Sequence, residues 1–280
     1  MEQLGDLYFE LSNEDRLKIL YKLQDTSMNV TNISRELNIT TQECSRHIAR
    51  LSTAMLVERS PDGEYFLSQY GRLSIRLISG QRFVSDHRDY FLNHTLERLP
   101  LEFVSRIGEL QGGKLTNNVM LVFNLIEDLI KESQEYFWFI HDQYLPSILP
   151  LGAEAMRRGV TSKSVELKSK APGRNLNSIR PEYINLEDEN LFIKLWHDGK
   201  IIPHFSDEVH IFLYISEKEA LVAFPLTSGG FDYIGFSGRD PTFHKYCYDL
   251  FNYYFSSAVP PDPITIDEKI NSRLSKHKKE

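Results

Sequence analysis

Apolar residues in the first eighty positions repeat at two different periods. Leu17, Leu20 and Leu23 recur every three residues, Ile33 and Leu37 lie four apart, and Cys44, Ile48 and Leu51 follow at four and three. That spacing stacks side chains on one helix face and predicts three short helices. Ser12 with Asp15 has the form of a capping box for the first, which should end near Asp25. The polar run Asp25 to Asn29 separates it from a second helix over Val30 to Leu37, and Asn38 suits the left-handed residue that closes it. Thr40 can cap a third helix reaching about Ala54. The period then drops to two. Leu56 to Arg59 and Glu64 to Leu67 alternate like strands around the turn residues Ser60-Pro61-Asp62-Gly63.

Further along, Ser68 to Leu99 reads as helix, with Leu73, Leu77 and Val84 on one side; that apolar stripe must be covered by its own domain or by a second copy. Pro100 interrupts it, and Gly112-Gly113 reads as a flexible joint before a helix that Thr116 can cap, with Val119, Phe123, Ile126 and Ile130 as its stripe. Strands are expected at Tyr136 to His141, Ser164 to Leu167, Leu191 to Trp196, Val209 to Ile215, Leu221 to Phe224 and Tyr233 to Phe236. A helix over Leu145 to Arg158, closed by Gly159, and one over Pro241 to Phe255 with Phe243, Cys247, Leu250, Phe251 and Tyr254 inward complete the series. The alternation gives an α+β or α/β fold class: a winged helix-turn-helix over 1–80, a helical linker or dimerisation segment over 81–115, an α/β sheet domain over 116–260, and a basic tail over 261–280.

The outward positions of the third helix are Thr41, Gln42, Ser45, Arg46, Ala49 and Arg50. Arginine forks onto guanine, glutamine onto adenine, and serine or threonine onto bases or phosphate, while a small residue lets the helix approach closely. A solvated, incidentally basic helix face would carry the same arginines; the hairpin that follows, with Arg59 aimed at a phosphate, favours the groove. The formal net charge is -7, yet over residues 41–85 six arginines face four carboxylates, so positive charge is concentrated where a DNA footprint needs it. Two cysteines far apart argue against a disulfide scaffold, and the acidic N-terminus does not look like a secretory signal, so a cytoplasmic protein without a membrane span is expected.

The run Ser45-Arg46-His47-Ile48, followed by Leu51 and a strand near Leu56, resembles the recognition helix of ArsR-type winged-helix regulators over residues 11–80. The resemblance implies a DNA-binding transcriptional regulator. Metal-sensing members carry paired cysteines in the first motif helix, where this chain has Val30 to Ile33, so no metal is expected there; His47, with no second ligand nearby, reads as a packing or phosphate-contacting residue. The second half is similar to the effector-like domain of archaeal regulators of the methanogenesis-regulator family. That similarity rests on His94 to Leu99 with Pro100 to Leu110, Tyr136-Phe137-Trp138-Phe139-Ile140, Arg158-Gly159-Val160, Gly238-Arg239-Asp240-Pro241-Thr242-Phe243 and Leu250-Phe251-Asn252-Tyr253-Tyr254. This family's domain looks like a relative of the phospholipase D sheet, as in sugar-responsive archaeal regulators.

Phospholipase D chemistry needs a histidine, a lysine two residues later and an aspartate five beyond that. Here His210 is followed by Phe212 and Glu217, so His210 reads as a pocket or core residue, and neither a catalytic residue nor a cofactor is expected. Trp138, His141, Trp196, His204, His210 and Tyr233 are candidates to line a small-molecule effector pocket at strand ends, with the core as their alternative place. A homodimer on double-stranded DNA is the expected assembly. A protein-interaction adaptor and a residual phosphodiesterase are the competing functions.

Overall fold

A computed structural model describes residues 2–143, 145–169 and 186–261. It divides into two compact units, Met1–Arg82 and Phe83–Glu280. The basic tail over 261–280 lies almost wholly outside the described residues.

The first unit contains α1 (Glu2–Leu11), α2 (Glu14–Asp25), α3 (Val30–Leu37), α4 (Thr41–Thr53), the hairpin strands β1 (Val57–Arg59) and β2 (Tyr65–Leu67), and most of α5 (Gln69–Asp86). Ile19, Leu20, Leu23, Ile33, Cys44, Ile48 and Leu51 fill its core, as the helical periods require. Two expectations need correction. The cap of α2 is Asn13, whose side chain accepts from the Arg16 backbone N–H; the Ser12 hydroxyl instead donates to the Phe9 carbonyl at the end of α1, a helix the sequence reading had missed. The long helix over 68–99 stops at Asp86, and His87 leaves helical geometry before the short α6 (Arg88–Phe91). On α5, Ile75 and Phe83 are the buried large apolar residues, whereas Leu73 and Leu77 are 55% and 70% exposed.

The second unit is built on a seven-stranded mixed sheet in the order β3-β9-β8-β7-β4-β5-β6. Its strands are β3 (Lys114–Thr116), β4 (Tyr136–His141), β5 (Thr161–Leu167), β6 (Ile201–Ser206), β7 (Phe212–Ser216), β8 (Ala220–Ala223) and β9 (Gly235–Gly238). β4, β5 and β6 are parallel; the remaining pairings are antiparallel. One face carries Trp138, Leu213, Val222 and Phe236 against α11 (Pro241–Ser257), where Phe243, Cys247, Leu250 and Phe251 are fully buried as expected, and against α7 (Leu101–Ser105). The other carries Phe137, Phe212, Tyr214 and Leu221 against α8 (Val119–Glu132) and α9 (Leu149–Arg157), and α10 (Leu186–His197) packs there through Phe192 and Leu195. Helices on both faces explain why β7 and β8 are buried at every position and, Ser216 apart, carry hydrophobic side chains.

Several boundaries differ from the reading of the sequence. Leu191 to Trp196 belongs to α10, not to a strand; β3 and β6 were missed; and α8 is capped by Asn118, with Thr116 sitting in β3. Tyr90, Leu99, Phe103, Ile107 and Leu110 lie in the core of the second unit, so most of the segment taken as a linker is structural there. Gly113 is no flexible joint: a Cβ at that position would lie 2.3 Å from the Phe243 ring, so the missing side chain is what lets the backbone close on α11. Among the described residues no helix is long and apolar enough to cross a membrane.

Candidate nucleic-acid interface

The α3–turn–α4 segment is specified by local devices. Asn29 caps α3 by accepting from the Asn32 N–H, and Asn38 closes it with φ 54° in the left-handed region, its N–H reaching the Arg35 carbonyl. Thr40 then opens α4 with a full capping box: the Glu43 N–H donates to Thr40 Oγ1 at 3.2 Å, and the Thr40 N–H donates to Glu43 Oε2 at 3.0 Å. The backbone and hydroxyl donors of Thr40 hold the Glu43 carboxyl below its ordinary range. Cys44, His47, Ile48 and Leu51 face inward, which leaves Thr41, Gln42, Ser45, Arg46, Ala49 and Arg50 exposed on one surface.

Those outward residues are not equivalent. Gln42 and Arg46 make no hydrogen bond or ion pair among the described residues, so their donors are free for another molecule. Ser45 donates its hydroxyl to the Thr41 carbonyl at 2.8 Å and keeps its lone pairs. Arg50 is engaged: it grips Glu10 of α1 with two bonds of 2.6 and 3.0 Å and lies over the Phe9 ring. Glu10 also faces the buried Arg16, whose guanidinium donates to the carbonyls of Phe9 and Glu10. Arg16 thereby satisfies the last carbonyls of α1, and Glu10 ties α1 to α4. The sequence reading missed this tie together with α1.

His47 is 7% exposed, and burial pushes its pKa down against the opposing pull of Asp15, 3.9 Å from its Nε2; its Nδ1 is buried without a partner among the described residues. In the hairpin, Gly63 takes φ +86°, the Ser60 N–H donates to the Glu64 carbonyl at 2.7 Å, and the Arg59 guanidinium rests 5.7 Å from the Tyr65 ring centre on the exposed side.

The six candidate ligand residues of the second unit do not converge on one pocket. His141 and Tyr233 lie on the α8 and α9 face of the sheet, where His141 Nδ1 pairs with the Tyr214 hydroxyl at 3.0 Å and Tyr233 donates to Asp142. Trp138 and His204 lie on the α11 face: Trp138 stacks on Phe251, and His204 stacks on Phe255 while bonding its carbonyl. Trp196 is half-buried on α10. His210 is 3.7 Å from Glu208 and beside the Tyr254 ring. Phe212 is fully buried, and Glu217 accepts from the backbone N–H groups of Gln134, Glu135 and Tyr136 at the start of β4, so neither residue is placed to hold a phosphoryl group.

Residues 13–59 match the family model of bacterial regulatory proteins of the arsR family, and this stretch is an arsR-type helix-turn-helix. No curated protein matches the sequence. Among solved structures the chain is similar to TrmBL2, an archaeal chromatin protein described as showing a novel mode of DNA binding: 12% identity, 89% of this chain and 94% of that one, TM-score 0.42. It is also similar to Nuc from Salmonella typhimurium, a phospholipase D family member, at 10% identity over 50% of this chain and 90% of that one, TM-score 0.34.

Proposed function

We propose that this chain is a DNA-binding transcriptional regulator that reads double-stranded DNA with the outer face of α4. One observation carries the reading: Gln42 and Arg46 stand exposed, and unpaired among the described residues, on a helix whose other face is locked into the core, beside a hairpin carrying Arg59. Thr41 and Ser45 reach phosphate or base edges at the helix start, where the backbone N–H groups favour a phosphate. Arg46 forks onto a guanine, and Ala49 lets the helix approach the groove. Arg50 contributes once it leaves Glu10, or else serves to fix the angle of α4.

The regulator works as a homodimer on a two-fold operator. Leu4 and Tyr8 of α1 and Tyr70, Leu73 and Leu77 of α5 are exposed apolar residues of one unit, and the Tyr8 hydroxyl pairs with Gln81 across these two helices; their exposure supports this assembly, in which a second copy would cover them. The second unit acts as sensor, responding to a small-molecule effector without turnover.

Fluorescence anisotropy with duplexes selected from random sequence tests the reading. Binding should weaken steeply with salt; Arg46→Ala should relax preference at one base pair by about 1–3 kcal/mol, whereas Arg59→Ala should reduce the salt slope by about 0.9. Failure to bind any duplex at low ionic strength would leave the winged helix as a protein-contacting adaptor.

A further inference from the structure

At the carboxyl ends of β4 and β5 the sheet gathers polar groups that nothing so far explains. His141 ends β4, its register partner on β5 is Glu166, and Asp142 follows immediately. Tyr214 of β7 bonds His141 Nδ1 at 3.0 Å and lies within electrostatic range of Glu166, Asp142 and Tyr233. The Tyr233 hydroxyl is 3.2 Å from Asp142 Oδ1.

Among the described residues no basic side chain pairs with the carboxyls of this cluster: Glu166 receives one hydrogen bond, from Ser164 at 2.7 Å, and Asp142 only those of Tyr233. His141, 5% exposed, has no partner for Nε2 among the described residues. Rings surround the groups: Phe139 lies 5.4 Å from Tyr214 and 4.7 Å from His141, and Phe123, Phe212 and Phe231 lie 5.8, 5.0 and 6.3 Å from Tyr233. Phe139 and Glu166 remain half-buried although each sits in a strand paired on both sides, so part of each is open to solvent.

We propose that this recess takes a small organic cation, held between the Asp142 and Glu166 carboxylates and the part-exposed rings of Phe139 and Tyr233. The chemistry selects that class. Among the described residues phosphates and carboxylates would meet two acids and no lysine or arginine paired with them. The described residues hold no set of three or more side chains placed to ligate a metal ion. An ammonium supplies the missing countercharge, its apolar portion packs on ring faces, and a polar N–H of the ligand can reach His141 Nε2. Burial pushes the Glu166 carboxyl up against the opposing pull of the Ser164 hydroxyl and pushes the His141 ring down to about 3, as expected where a charged form lacks a partner. The proposal rests on the reading of the second unit as sensor.

Titration calorimetry on the full chain tests it, with choline and putrescine chlorides as probes and glucose and inorganic phosphate as comparators. Saturable binding of at least one amine is expected, weakened ten-fold or more by Asp142→Asn and by Glu166→Gln, while His210→Ala leaves it intact. Hydrogen exchange of β4 and β5 verifies that the variants are folded and should show wild-type protection gained on adding the amine. The proposal is overturned if neither amine binds, if binding survives both carboxyl changes in folded protein, or if glucose or phosphate binds at the same residues more tightly. Duplex anisotropy with and without the amine separates the two readings: amine binding that leaves DNA affinity unchanged upholds the recess and refutes the sensor role, whereas DNA binding without amine binding refutes the recess alone.

Discussion

Replacing Glu10 should loosen the first unit and strengthen its grip on DNA at the same time. The carboxylate joins three elements: the buried Arg16 of α2 at 3.0 Å, Arg50 of α4 at 2.6 and 3.0 Å, and its own helix α1. Glu10→Gln preserves shape but removes the charge. The Arg16 side chain is 7% exposed and Glu10 14%, so a charge-assisted bond is lost where solvent replaces it poorly, although Arg16 keeps the carbonyls of Phe9 and Glu10. Allowing for that residual bonding and for the nearby surface, the loss is about 1–2 kcal/mol. The exposed Arg50 adds little to that figure.

Native-state hydrogen exchange on the full chain reads the loss locally, and 1–2 kcal/mol corresponds to exchange roughly 5–30 times faster. The acceleration should be confined to the C-terminal turn of α1 and the last turn of α4, with α8 and α11 of the other unit unchanged. Freed from Glu10, Arg50 becomes available to a phosphate and a negative charge disappears beside it, so duplex affinity should rise and the salt slope steepen by about 0.9. Unchanged exchange in α1 and α4 would show that Glu10 organises nothing. Weaker duplex binding with a flatter slope would show instead that the Glu10–Arg50 pair is needed to aim the helix.

Two further substitutions probe the second unit. Gly113→Ala forces a methyl within 2.3 Å of the fully buried Phe243 ring and 3.2 Å of the Leu110 carbonyl, so it should lower stability by about 1–3 kcal/mol, read as a reduced urea midpoint; no change would mean that the backbone there is free to shift. Glu217 should confer acid sensitivity. Burial raises its pKa, but the backbone N–H groups around it, including those of Gln134, Glu135 and Tyr136, outweigh that and hold the carboxyl below its ordinary range. A folded-state pKa below the unfolded value near 4.3 means that the contribution is complete above that pH and is lost as pH falls through the folded value. Wild type should therefore exceed Glu217→Gln in stability near neutral pH, with the gap closing below about pH 4; a gap independent of pH would refute the assignment.

The α3–turn–α4 motif was legible because everything that specifies it is local. Asn38 needs only its own left-handed φ, Thr40 only Glu43 three residues on, and the inward stripe only the helical period. Helix α1 carried a usable signal as well: Leu4, Leu7 and Leu11 keep helical spacing, with Leu11 buried, and the acidic residues between them drew attention to charge instead. Both missed strands, β3 and β6, lie at edges of the sheet, where pairing on one side leaves a weak pattern; β6 even tolerates Pro203, which an inner strand would exclude. The apolar run Leu191 to Trp196 was misread because a short run has no period of its own, and only the length of α10 identifies it.

The same distinction between local and long-range specification separates the two candidate sites. Reading the groove face of α4 requires one helix and its buried side, which a window of thirteen residues contains. Seeing that Arg50 is held by Glu10 requires a contact forty positions away, and nothing in either segment announces it. Assembling His141, Glu166 and Tyr214 requires parallel pairing of β4 with β5 and antiparallel pairing of β4 with β7, so the group exists only once the strand order is known. That is why His141 and Tyr233 could be named as ligand candidates from their residue types, whereas Asp142 and Glu166 could not. A carboxyl group becomes informative only when the fold places it where no basic partner can reach, and that is a property of the sheet, not of any stretch of the chain.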